Sequence, residues 1–93
     1  MDTVLTLFKH NLGITHNLRD EFFLSLVNAS KLELERKGIV LDLLSVDDQM
    51  LISDYAVYNY HNRFANVPLS MNLQLRIRNR IVKNRSGVND ATT

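Results

Sequence analysis

The groups in this 93-residue chain that could do chemistry are three histidines, ten carboxylates and a few serines; cysteine is absent. Their spacing argues against a reaction centre. Among His10, His16 and His61, none stands three or four residues from another, and no HExxH run occurs. His61 follows Val57 by one helical turn and reads as a packing histidine before it reads as a ligand or base. The pairs Asp20/Glu21 and Asp47/Asp48 are sequence neighbours, whose side chains diverge on a helix and do not share a proton. Both sit where a first turn is expected, and carboxylates there stabilise the helix dipole. Ser25, Ser30, Ser45, Ser53, Ser70 and Ser86 lack the G-x-S-x-G setting of a nucleophile. Three single glycines cannot cradle a phosphate. The expectation is a protein that is not an enzyme and uses neither metal nor cofactor.

The remaining chemistry is that of contact. Asp54 lies between Ile52 and Tyr55, and an Asp among apolar neighbours needs a partner if it is buried. A structural ion pair of Asp54 with Arg63, or with an arginine in 76–80, is therefore expected; the alternative is an exposed Asp on a polar stripe with Asn62. Tyr58 and Tyr60 diverge by about 200° on a helix, so they cannot share one core face. Tyrosine is common at protein interfaces, and both are expected there. Charge is split along the chain. Residues 1–69 carry six Lys/Arg against nine Asp/Glu, a net of −3, whereas residues 70–93 carry five against Asp90 alone, a net of +4. Arg76, Arg78, Arg80, Lys83 and Arg85 are therefore expected to dock on something acidic: another copy, another protein or nucleic acid. A solvated helix face that binds nothing is the plainer alternative.

Four helices are expected to position these groups. The first, at 3–12, starts at Asp2 or Thr3, carries Val4, Leu5, Phe8 and Leu12 on one face, and ends at Gly13. The second, at 17–37, would be capped by Asn17 with Asp20 at its third position. Its apolar positions are Phe22, Leu26 and Ala29, widened by Phe23, Val27, Ser30 and Leu34. Gly38 stands past its end, with Ile39 and Leu34 as the apolar pair of a Schellman turn. Val40 to Leu44 form an apolar connector. Ser45 caps the third helix, at 46–63, whose apolar residues cover more than one face, as in a central or interfacial helix. Pro68 separates it from the last element, at 70–84. There Leu73, Ile77 and Ile81 fit a helix, while the alternation of residues 73–78 fits a strand; the abundance of Leu, Gln and Arg favours the helix. Leu5, Phe8, Phe22, Leu26, Leu51, Tyr55, Tyr58, Ile77 and Ile81 are the expected core.

The chain thus reads as all-α, one small four-helix domain over 1–85 with a flexible C-terminal tail over 86–93. Its size permits one modest core. No apolar run nears the roughly 20 residues that cross a bilayer, so no membrane association is expected. The absence of cysteine fits a reducing compartment. Met1-Asp2-Thr3 has none of the basic residues that open a signal peptide, which predicts a cytosolic protein.

In the order of these features the chain resembles the gp6-like head–tail connectors of tailed phages and prophages. Three stretches carry the likeness. One is Leu12-Gly13-Ile14-Thr15 with Asp20-Glu21-Phe22-Phe23-Leu24 and Leu26; another is Ala29 through Glu35 to Lys37-Gly38-Ile39. The third is Leu51 through Tyr58 with Arg63, then Pro68-Leu69 and a basic amphipathic segment with Asn79-Arg80. Pro68-Leu69-Ser70-Met71 departs from the more basic start that the last helix of such proteins has. The resemblance spans about residues 4 to 85 and implies a four-helix fold, with helix over 70–84. It implies a homo-oligomeric ring beneath the portal protein that meets a tail or stopper protein and lets duplex DNA pass through. The place would be the virion, assembled in the host cytoplasm. The competing expectation is a small nucleic-acid-binding module, with the basic residues of the fourth helix on phosphates and Asn79 on a base edge. Against it stands the near-neutral charge of the whole chain.

Overall fold

Glycine and serine set the ends of the helices, and apolar spacing sets how they pack. The computed structural model describes residues 1–63, 65–66 and 68–90, and beyond Lys83 the backbone alone. It holds helices α1 (Asp2–Leu12), α2 (Asp20–Arg36), α3 (Val46–Asn62) and α4 (Met71–Asp90), with no strand among the described residues. The tail expected over 86–93 lies outside the described side chains.

Two helices stop at glycines in left-handed conformations, which any Cβ would strain. Gly13 has φ 71°. The Ile14 N–H donates to the Lys9 carbonyl at 2.9 Å and the Gly13 N–H to that of His10 at 3.1 Å. At Gly38, φ 98°, the same pattern recurs: Ile39 N–H to Leu34 at 3.3 Å and Gly38 N–H to Glu35 at 3.0 Å. This is the Schellman turn expected there, and Ile39 and Leu34 are both buried. Ser70 caps α4, its hydroxyl accepting from the Leu73 N–H at 3.1 Å. Ser45 caps α3 more loosely, at 3.5 Å from the Asp48 nitrogen.

The starts of α1 and α2 differ from expectation. Neither has a side-chain cap. Asn17 is drawn away by Lys9 of α1, whose ammonium reaches Asn17 Oδ1 at 2.9 Å and Asp20 Oδ1 at 2.7 Å. That clamp fixes the α1–α2 corner, and α2 begins three residues later than the spacing predicted.

The core is Val4, Phe8, Phe23, Val27, Leu34, Ile39, Leu51, Ile52, Tyr55, Ala56, Leu73 and Ile77. Phe8, Leu51, Tyr55 and Ile77 are buried as expected; Leu5, Phe22, Leu26, Tyr58 and Ile81 only flank the core. Of the two apolar stripes on α2, the one through Phe23, Val27, Ser30 and Leu34 faces inward. Phe22 turns to the rim, where the guanidinium groups of Arg19 and Arg63 lie 4.5 and 4.6 Å from its ring centre. Phe8, Phe23 and Tyr60 stack edge-on and tilted, with centroids 5.5 to 6.1 Å apart.

α3 is the central helix; α1, α2 and α4 all pack on it. Small residues let them approach. Ser30 is fully buried, donates to the Leu26 carbonyl at 2.8 Å and accepts from Asn59 of α3 at 3.0 Å. Ser53 of α3 accepts from Asn11 of α1 at 3.1 Å. These bonds satisfy buried polar groups that would otherwise destabilise the core. The molecule measures 49 × 29 × 18 Å.

Candidate functional site

The densest cluster of charge lies on the seam between α3 and α4. Residues four apart on α4 share a face, so Arg76 and Arg80 project with Leu73 and Ile77 toward α3. Arg76 Nη1 donates to Asp54 Oδ2 at 2.7 Å. One turn on, Arg80 donates to the Asp48 carboxylate and to the Val40 carbonyl of the α2–α3 connector, the latter at 3.2 Å. The Asp42 N–H donates to the other Asp48 oxygen at 2.6 Å. Asp48 therefore joins the connector, α3 and α4. Burial pushes its carboxyl upward, but the Arg80 hydrogen bond, the Asp42 N–H and the charges of Arg80 and Lys83 together hold it below the usual value. Asp48 is 5% exposed, whereas the Asp54 and Arg76 side chains keep 35% of their surface.

Of the expected partners of Asp54, the arginine of α4 and not Arg63 takes the carboxylate. Arg63 closes the end of α3 and lies on the Phe22 ring, so Arg76 takes the carboxylate. The basic residues of α4 also divide in two. Arg76 and Arg80 are committed to pairs within the subunit, while Arg78 and Lys83 are exposed and make no ion pair within 4 Å among the described residues. Arg85 lies outside the described side chains. Tyr60 is occupied in the aromatic cluster rather than laid out on the surface. Tyr58 is half-buried beside Tyr55, with ring centres 5.9 Å apart. Burial pushes the Tyr55 phenol well above its ordinary value, with a hydrogen bond to Glu33 adding to the effect.

Two open clefts flank the seam. One, about 770 Å³, is lined by Asn11, Val57, Tyr58, His61, Leu73 and Arg76 among others. The other, about 530 Å³, lies between the connector and α4 and is lined by Asp42, Asp47, Met50, Asn79 and Lys83 among others. The serine hydroxyls near them are engaged in structural contacts: Ser70 and Ser45 in capping, Ser53 with Asn11. No group of three or more His, Asp or Glu among the described residues is placed to hold a metal ion. No described helix is long and apolar enough to cross a membrane. What the arrangement does is hold α4 against α3 through polar pairs.

The sequence marked the connector and α3 as apolar but gave no notice of the outward apolar stripe on α4. Met71, Leu75 and Val82 are exposed on α4, and Val40, Leu44, Val46 and Met50 are exposed on and after the connector. The 71, 75, 78, 82 spacing was a readable stripe, but the inward Leu73–Ile77–Ile81 stripe masked it. No family model, curated protein or solved structure matches the chain.

Proposed function

We propose that this chain is a structural subunit of a phage or prophage virion, one copy of a ring that joins the capsid portal to the tail and continues the DNA channel. The observation that carries the reading is surface left over once the core is complete. Large apolar side chains stay exposed on α4 and on the connector, while Phe8, Leu34 and Ile52 are already fully enclosed. Apolar surface gathered in this way marks a place for another protein. The hydroxyls of Ser30, Ser53 and Ser70 are engaged in interhelical bonds or in a helix cap. The resemblance of the sequence to the connector family in the order of its helix and turn signals supports the same reading. The partners would be further copies, the portal protein and a tail or stopper protein, with duplex DNA passing through.

A nucleic-acid-binding module is the second reading, favoured by Arg78 and Lys83, which are exposed and make no ion pair within 4 Å among the described residues. It has fewer free cations than the sequence promised, since Arg76 and Arg80 are held by Asp54 and Asp48. The test is co-sedimentation of the purified protein with tail-less, portal-bearing capsids, alongside titration with duplex DNA at rising salt. Saturable capsid binding is expected. Salt-sensitive DNA binding without capsid affinity would favour the second reading.

A further inference from the structure

We propose that the outer face of α4 in one copy of this chain docks on the exposed α2–α3 connector of a second copy, as a head-to-tail contact. This deepens the ring reading above by naming the two surfaces that would join its subunits.

The first surface is a stripe. Residues 71, 75, 78 and 82 fall within about 60° of arc on an α-helix, on the side opposite Leu73, Ile77 and Arg80. Met71, at 69% exposure, Leu75 and Val82 are its apolar members. Arg78 belongs to it and makes no ion pair within 4 Å among the described residues, whereas Lys83 lies off the stripe, beside the cleft it lines with Asp42 and Asp47 of its own subunit. The second surface is the connector and first turn of α3. Leu44 is 90% exposed, and Val40, Val46 and Met50 are exposed around it. Asp42 and Asp47 rim that patch, and both are exposed.

Charge decides the pairing. Stripe against stripe would set Arg78 facing its own copy, and patch against patch would gather four carboxylates. Like charges brought together in a contact suppress it. Stripe against patch puts apolar side chains together and sets Arg78 against Asp42 and Asp47. The stripe cannot reach the connector of its own subunit. Arg80 already holds the opposite face of α4 to the Val40 carbonyl and to Asp48. A contact between two different surfaces leaves one of each free at the ends, so it gives a ring where the rotation between copies closes and an open filament where it does not.

The absence of cysteine makes the test clean. Leu44→Cys and Leu75→Cys are prepared as separate single variants in the full chain, with helicity checked by circular dichroism. Each is exposed to oxidised glutathione alone and as a mixture. Disulfide-linked dimer should form about tenfold faster in the mixture, because docking raises the effective concentration of the two thiols toward the millimolar range. Adding Arg78→Glu to the Leu75→Cys chain should slow that reaction, and adding Asp47→Arg to the Leu44→Cys chain should restore it. Equal rates in all three reactions, or Leu75→Cys cross-linking best to itself, would overturn the proposal. Capsid binding without this cross-link would overturn these surfaces and leave the ring reading standing; the cross-link without capsid binding would do the reverse.

Discussion

Asp48 and Asp54 each meet an arginine of α4, yet the two pairs differ in strength because their exposure differs. Asp54 and Arg76 are both about one-third exposed, where solvent screens the attraction and a pair contributes about 0–1 kcal/mol. Asp48 is nearly enclosed and accepts from both Arg80 and the Asp42 N–H. Asp48→Asn should cost about 2 kcal/mol at neutral pH, while Asp54→Asn should cost less than about half of that. The pH dependence has a definite sign. The folded carboxyl of Asp48 titrates below its unfolded value, so below that value the unfolded chain binds more protons. The stabilisation is complete above the unfolded pKa of about 4 and is lost as pH falls through the folded one. Urea unfolding at neutral pH and near pH 3 should show the Asp48→Asn deficit shrinking in acid. A deficit unchanged between the two would contradict this account. At this scale the sequence was half legible: it marked Asp54 as needing a cation, and Arg76 was among the candidates. It gave no sign of Asp48 as the tie between three elements, since a carboxylate at the third position of a helix reads first as a dipole partner.

Helix ends were the best-read elements, because their signals are local. The turns at Gly13 and Gly38 need only a positive φ and an apolar residue beyond, and both lie within a few residues in sequence. A Cβ at Gly38 would meet nothing within 4 Å, so any penalty there comes from the backbone alone. Gly38→Ala should therefore destabilise the protein by about 1–2 kcal/mol with no change in the denaturant slope. A neutral substitution would mean that the turn relaxes. The start of α2 was misread for a non-local reason: Lys9, eleven residues before Asp20, takes the side chains that the capping rule assigned locally. The inward face of α2 was ambiguous because Phe22 and Phe23 are adjacent, and either can lead a stripe. Ring contacts with Phe8 and Tyr60 favour Phe23, and two arginines give Phe22 a polar setting. For residues 73–78 period alone was undecided between helix and strand; the chain forms a helix there, with Leu73 and Ile77, four apart, as the buried positions.

The whole molecule is a small helical body with apolar surface that its own core does not use. The all-α class was readable from spacing and caps. The oppositely charged halves were readable as well, but the sequence could not show that the structure ties two of the basic residues back onto α3. That leaves Arg78, with the apolar stripe of Met71, Leu75 and Val82 beside it, as the part of α4 that faces outward. A ring follows if copies join through such unlike surfaces and the rotation between them closes; its place beneath a portal is the proposal to be tested. The most direct measurement is electron microscopy of tail-less, portal-bearing capsids imaged before and after incubation with the protein. The account predicts a closed ring of added density coaxial with the portal, absent when the incubated protein carries Arg78→Glu. Portals that gain no density, under conditions where the protein is folded and in excess, would contradict it.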